Sequence, residues 1–353
     1  MRVEFTRCLP HNRRTLEKMH QYSVHPDRRN DMKVFWRTAA LLCALGMTQS
    51  AWAQSFPSKP VRIVVGFPAG GPIDIVARLI SPKLGEVLGQ QVVIDNRGGA
   101  NGLIAGDLVA KSPPDGYTMM LISTGTVAIS PHIYPKMPYD PLRDLVCVTL
   151  VTQTGELLVV HPSLPVKSVK ELIALAKARP GEISIASTGS GGLPHLALEL
   201  LKMEAKVNIL HVPFNGAAPA VTNAVGGQVQ GVIADLPVLQ PHIQSGRLRA
   251  LAFAAPKRSP LFSNVPTMIE QGLPKVEAVN WYGIQIAAKT PPEIIARLNE
   301  AFAKTLNDPD MRQKLIGRGA DPIPGSSADF TAFVKAEYDK WGPIAKASGA
   351  KVD

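Results

Sequence analysis

The stretch that most constrains this chain is VRIVVGFPAGGPIDIVAR, residues 61–78. Val61, Ile63, Val64 and Val65 crowd β-branched side chains into five positions, the mark of a strand buried on both faces. Gly66 ends the run, a loop holding Gly70 and Gly71 follows, and Pro72 supplies the fixed φ suited to a first helical position. Ile73, Val76, Ala77 and Ile80 then recur at helical spacing. A strand that turns through glycine into a helix leaves backbone N–H groups unpaired at the positive end of the helix dipole, where an anion can sit. The other reading is a glycine turn that only joins β to α.

The alternation recurs. Short apolar runs predict strands at 91–94, 117–122, 156–160, 183–186, 209–213, 229–233 and 276–287. Helical spacing predicts helices over 102–111, 168–179, 193–201, 219–225, 291–306, 310–318 and 328–348. Pro82 predicts a kink or a fresh start in the first helix, and Gly89 its end. Ser168 and Glu171 form a capping box, and Thr290 reads as the cap of a helix with Pro291 at its first position. The fold class is α/β, with mixed, mostly parallel sheets flanked by helices.

The amino terminus reads separately. Lys33 and Arg37 precede the apolar run TAALLCALGM, and Ala51-Trp52-Ala53 offers small residues before Gln54. This is the order of a cleaved secretory signal peptide, residues 32–53, and the run is too short to span a bilayer. Met32 stands where such a peptide begins, so 1–31 reads as an upstream extension and translation is expected to start at Met32. Residues 1–53 hold nine of the 38 Lys/Arg and four of the 28 Asp/Glu, so half of the +10 net charge falls there. The remaining +5 is scattered, without a basic block or basic–aromatic stripe, which argues against nucleic-acid binding. Cleavage would remove Cys8 and Cys43 and leave Cys147 alone, in an apolar run that reads as core.

Four predicted strand–helix junctions carry Gly, Ser, Thr and Asn and no Lys or Arg: 66–72, 123–126, 187–192 and 214–217. In open α/β sheets ligands bind at the carboxyl ends of strands, so these loops can face one cleft and hold a carboxylate through N–H groups and hydroxyls. Catalytic patterns are missing. Pro72 stands where a phosphate loop requires Lys, and there is no G-x-G-x-x-G, G-x-S-x-G or H-E-x-x-H. Neither an enzyme, a metal site nor a cofactor is expected. Asp74 reads as a dipole-favourable brace for its loop, with ligand contact as the second reading. His195 reads as a ligand donor or a local cap. Asp235, ending a buried strand, either accepts from an amine or hydroxyl and repels a second carboxylate, or closes a simple turn. Trp281 and Tyr282 read as cleft wall or as core.

At these residues the sequence resembles the substrate-binding receptors of tripartite tricarboxylate transporters, the Bug family. The match covers 56–352 and rests on FPAGGPIDIVAR, VIDNRGGANG, PPDGYT, GSGGLPHLA, VPFNGAAPA and LPVLQPHIQSGRLRALA among others. The resemblance implies a two-lobed periplasmic-binding-protein fold of type II (Venus flytrap), with lobe 1 at 54–155 and 278–353 and lobe 2 at 156–277. It implies a monomeric periplasmic receptor that delivers a small organic carboxylate to membrane permease subunits. The alternative is a sensor component that presents the solute to a histidine kinase. Carried over by position, the ligand-binding candidates are Phe67, Ala69, Gly70, Gly71 and Asp74 in the first loop and Ser187, Gly189, Ser190 and His195 in the second. Thr124, Thr126, Asn215, Gly216, Asp235 and Trp281 complete the set. The sequence departs from the family where Ala234-Asp235 replace the usual Asp-Asn, and where Asn215 replaces a frequent Lys.

Overall fold

A computed structural model describes residues 56–350; the signal peptide, the upstream extension, Cys8 and Cys43 lie outside the described residues. The described residues form one compact unit. In chain order, β1 (Val61–Val65), α1 (Pro72–Leu88), β2 (Val92–Asn96), α2 (Leu103–Ala110) and β3 (Thr118–Ser123) build the first α/β layer. A π-helical turn, Gly125–Ile129, and α3 (Ser130–Ile133) lead to the 16-residue β4 (Leu145–Val160). Next come α4 (Val169–Ala178), β5 (Ser184–Ser187), α5 (Leu193–Ala205), β6 (Leu210–Pro213), α6 (Ala217–Val225), β7 (Gly231–Asp235), α7 (Leu236–Gln244) and β8 (Arg249–Phe253). The chain closes with β9 (Val279–Ala287), α8 (Pro292–Asn307), α9 (Pro309–Ile316), β10 (Asp321–Pro322) and α10 (Ser327–Ala347).

The strands run in the order β2-β1-β3-β9-β4-β7-β5-β6, with β8 and β10 pairing β4 off that path. Strands joined by helical crossovers pair in parallel: β1 with β2 and β3, β5 with β6 and β7. Pairs made by β4 and β9 are antiparallel, so the sheet is mixed. β4 is the spine. Leu145–Gly155 pairs with β9, while Glu156–Val160 pairs with β7 and β8. The sequence shows only the last five residues of this strand as a separate element, because Gln153, Thr154 and Gly155 break its apolar run.

β1 is buried on both faces as expected. Val61, Ile63 and Val65 pack with Ile73, Val76, Ala77, Ile80 and Leu84 of α1 and with Leu298 and Phe302 of α8; Val64 packs on the other side, in the cluster that holds Phe330 and Trp341 of α10. α10 lies close to the sheet because Gly283 has no side chain: a Cβ there would stand 2.1 Å from the Phe330 ring. Cys147 is buried and free.

Two expectations are corrected, and one helix appears that the sequence pattern does not announce. α1 runs unbroken through Pro82, and the Ser81 hydroxyl donates to the Arg78 carbonyl (3.3 Å), the acceptor that the Pro82 nitrogen cannot serve. Thr290 is not a cap; its hydroxyl donates to the Ala287 carbonyl, Pro291 is the cap residue and the helix starts at Pro292. α7 follows Asp235 directly, with Pro237 in its first turn and Pro241 inside it, two prolines that mask a nine-residue helix in the sequence. The Ser168 cap stands: its side chain accepts from Glu171 N–H, and the Glu171 carboxylate accepts from Lys167 N–H.

Candidate ligand-binding site

The site grows from two junctions of one design. In the first, Gly70 takes a positive φ (80°) and Gly71 an extended one (φ −77°, ψ 166°) before α1; in the second, Gly191 (φ 76°) and Gly192 (φ −87°, ψ 169°) repeat this before α5. Neither helix start has a side-chain cap, and each carries a proline in its first turn, Pro72 and Pro194. In both, the side chain four residues beyond the first glycine accepts that glycine's N–H. Asp74 Oδ2 accepts from Gly70 (2.9 Å), and His195 Nδ1 accepts from Gly191 (3.1 Å). The remaining first-turn N–H groups have no partner within the helix.

Asp74 is wholly engaged. Besides Gly70, Oδ2 accepts from Arg78 Nε (2.9 Å) and Oδ1 from Asn96 Nδ2 (2.9 Å). Burial raises its pKa, but the hydrogen bonds from Arg78, Gly70 and Asn96 outweigh it and hold the carboxyl below its ordinary value. His195 is buried, which lowers its pKa, so the ring is neutral and the Gly191 bond places the proton on Nε2, toward Glu199 (3.7 Å). His195 stacks on His211 (centroids 3.9 Å apart), whose pKa burial depresses to about 3, and Ser187 Oγ meets His211 Nε2 at 2.6 Å. The brace and cap readings of Asp74 and His195 are the ones that these contacts describe.

Between the junctions lies a narrow cavity of about 40 Å³, partly open to solvent. Phe67, Pro68, Gly71, Pro72 and Ile73 wall one side; Thr188, Gly192, Leu193, Pro194 and Ala217 wall the other. Asn101, Ser123, Gly125, Asp235, Asn280 and Tyr282 complete the lining, which contains no Lys, Arg or His. The two sides touch: Asn101 Nδ2 donates to the Gly191 carbonyl (3.1 Å), and a Cβ on Gly216 would lie 3.2 Å from the Pro68 ring.

At the inner end, Asp235 Oδ2 accepts from Tyr282 O–H (2.8 Å) and Asn280 Nδ2 (3.1 Å). Glu156 is its cross-strand partner, fully buried, with neither carboxylate oxygen hydrogen-bonded. Burial pushes Asp235 up to about 7, although Tyr282 and Asn280 pull the other way. Burial, with the neighbouring Asp235 charge, pushes Glu156 well above the usual carboxylate range. Two facing acids in one dry site cannot both ionise.

Of the ligand-binding candidates carried over by position, Phe67, Gly71 and Asp235 reach the cavity wall. Ala69, Gly70, Gly189, Ser190, Asn215 and Gly216 belong to the surrounding loops. Thr124 Oγ1 accepts from Trp281 N–H, and Thr126 Oγ1 donates to the Asn101 carbonyl. Tyr282, not Trp281, lines the cavity: the Trp281 indole packs edge-on against Phe330 and Phe333 and donates to Glu337. Asn101, Ser123, Thr188 and Asn280 were missed as individual residues, and Glu156 as an acid. The signal for Glu156 was present, a lone carboxylate heading an apolar strand.

Two loop–helix junctions that face one cavity walled without basic side chains describe a solute-binding protein. The chain belongs to the tripartite tricarboxylate transporter family of receptors, whose model matches residues 76–350. It is similar to protein BugT of Bordetella pertussis (36% identity over 312 residues, 88% of this chain and 96% of that protein). It is also similar to a protein encoded in the tcbD-tcbE intergenic region of Pseudomonas sp. (38% over 303 residues, 86% and 90%). Among solved structures, R. palustris Rpa4515 with adipate matches at a TM-score of 0.82 and 38% identity, covering 84% of this chain and 100% of that one. MatC from Rhodopseudomonas palustris with bound malate matches at 0.78 and 32%, covering 82% and 100%. The fold is thus the α/β periplasmic-binding-protein fold, a curled mixed sheet flanked by helices, and the protein is a solute-binding receptor of the Bug type. Among the described residues, no helix is long and apolar enough to cross a membrane.

Proposed function

We propose that this receptor is exported through a cleaved signal peptide, captures a small organic carboxylate in the periplasm and passes it to the permease subunits of a tripartite tricarboxylate-type transporter. The observation that carries the reading is the paired junction: two helix starts, opened by Gly71 and Gly192, line one cavity without a basic side chain. Such a pair binds a carboxylate through oriented N–H groups and two helix dipoles. Malate and adipate in the related structures are of the same chemical class. In this reading 54–155 with 278–353, and 156–277, act as two lobes, and β4 and β9 carry the chain between them. A ligand that touches both lobes favours the closed state by its differential affinity for it. No covalent chemistry is involved.

The test is uptake. The carboxylate that most stabilises the purified protein is supplied in labelled form to cells lacking the receptor or the permease. Loss of uptake in both strains is expected; undiminished uptake without the receptor contradicts the proposal.

A further inference from the structure

At the inner end of the cleft several buried polar oxygens have no protein partner. Asp235, 3% exposed, and Asn280, 6% exposed, both line the cavity, and Asp235 Oδ1 and Asn280 Oδ1 have no protein partner. Behind Asp235, Glu156 is 0% exposed with both oxygens unpartnered. The two donors that do reach the group, Tyr282 O–H and Asn280 Nδ2, are spent on the single oxygen Asp235 Oδ2. The hydroxyls of Thr152 and Thr154, four and two residues before Glu156 on β4, are also buried without partners and do not line the cavity. A buried acceptor left unpaired is costly, and no cationic side chain in the wall offsets it.

We infer that this inner end is a subsite for an ammonium group, so that the ligand is an amine-bearing carboxylate lying along the cleft with its carboxylate at the two helix starts. An ammonium brings three donors and no acceptor, and its charge balances one carboxylate of the Asp235–Glu156 pair. A second carboxylate at this end would instead add a third acid to a pair that already crowds its charge. The carboxylate end of the assignment rests on the function proposed above; the ammonium end rests on Asp235, Glu156 and Asn280 alone.

The test is calorimetric titration of the purified protein at neutral pH with matched straight-chain acids of three to seven carbons. At each length the far end is an ammonium, a carboxylate or a methyl group, as in aminohexanoate, adipate and hexanoate, and the matching alkylamines are run alongside. At the best length, the ammonium-ended acid is expected to bind at least about tenfold more tightly than the other two. In an Asp235→Asn, Glu156→Gln double variant the ratio of ammonium-ended to methyl-ended affinity is expected to fall to about one. The variant is expected to melt no lower than the parent, which separates lost recognition from lost folding. Dicarboxylates that bind the parent as tightly as amino acids of equal length overturn the subsite and leave the carboxylate receptor standing. A preference that survives in the double variant also overturns it. Binding of alkylamines with no acid of any length bound upholds the subsite and overturns the carboxylate end. Silence from every compound overturns both.

Discussion

Asn101 Nδ2 donates to the backbone carbonyl of Gly191, 3.1 Å away, and so ties the glycine-rich loop after β2 to the loop that opens α5. The same amide nitrogen donates to Ser130 Oγ (2.8 Å), which fixes the side chain for this crossing contact. Asn101 itself sits at φ 51°, a conformation that Asn tolerates better than most residues. Asn101→Gly keeps that backbone and removes only the amide. Ligand affinity is expected to fall by roughly fivefold, the worth of one net hydrogen bond near 1 kcal/mol, with little change in melting temperature. Calorimetric titration of parent and variant checks this; unchanged affinity would show that the crossing bond does not help hold the two loops around the cavity.

Asp74 supports the first loop from below. Asp74→Ala leaves the Gly70 N–H and Asn96 Nδ2 without their acceptors in a buried setting. A loss of about 1–3 kcal/mol in unfolding free energy is expected, measured by denaturant titration. Its carboxyl titrates below the ordinary value in the folded state, so the stability it contributes is present above about pH 4 and is lost as pH falls through the folded pKa. The difference between parent and variant should therefore shrink in acid.

Asp235 has the opposite sign. Its folded pKa of about 7 lies above the unfolded value of 3.8, so between these the unfolded chain has lost a proton that the folded one keeps. Stability contributed by this group is full below about pH 4 and falls as pH rises toward about 7. Asp235→Asn removes the dependence. Melting curves of parent and variant are expected to lie close together at pH 5 and to separate at pH 8, with the variant higher. A parent equally stable relative to the variant at both values would contradict the buried-acid account.

Gly66 keeps two loops in register. A Cβ there would stand 2.6 Å from the Gly102 Cα, a backbone atom that cannot swing aside. Gly66→Ala is expected to push the loops apart and cost about 1–3 kcal/mol, together with most of the ligand affinity. Gly89→Ala, at a glycine whose Cβ would meet nothing within 4 Å, is the comparison: it strains a positive φ at the end of α1 but leaves the cleft alone, so affinity should hold.

Much of this was legible in the sequence, and the limits have physical reasons. Local chemistry marked both junctions, since glycine pairs followed by proline leave the backbone few choices at Gly70–Pro72 and Gly191–Pro194. The brace by Asp74 was legible because it acts over four residues. Trp281 and Tyr282 were harder: adjacent strand residues point to opposite faces, and which face meets the cleft is set by pairing with β3 and β4, far away in sequence. Glu156 opposite Asp235 is likewise a product of register between β4 and β7, and Asn101 reaches Gly191 across 90 positions. Contacts of that span become visible only when the chain is folded.

The most direct measurement of the central claim is a thermal-shift screen of small carboxylates, with and without an amine, against the parent and Gly71→Leu. Gly71 lies at φ −77° with an extended ψ, so a side chain there enters the cavity wall without backbone strain. A ligand at one hundred times its dissociation constant stabilises the folded state by about 2.7 kcal/mol, a clear shift. The expected result is a rise in melting temperature with one chemical class of carboxylate in the parent and no rise in Gly71→Leu. A rise of equal size in both proteins, or a parent that responds to no carboxylate, would contradict the account.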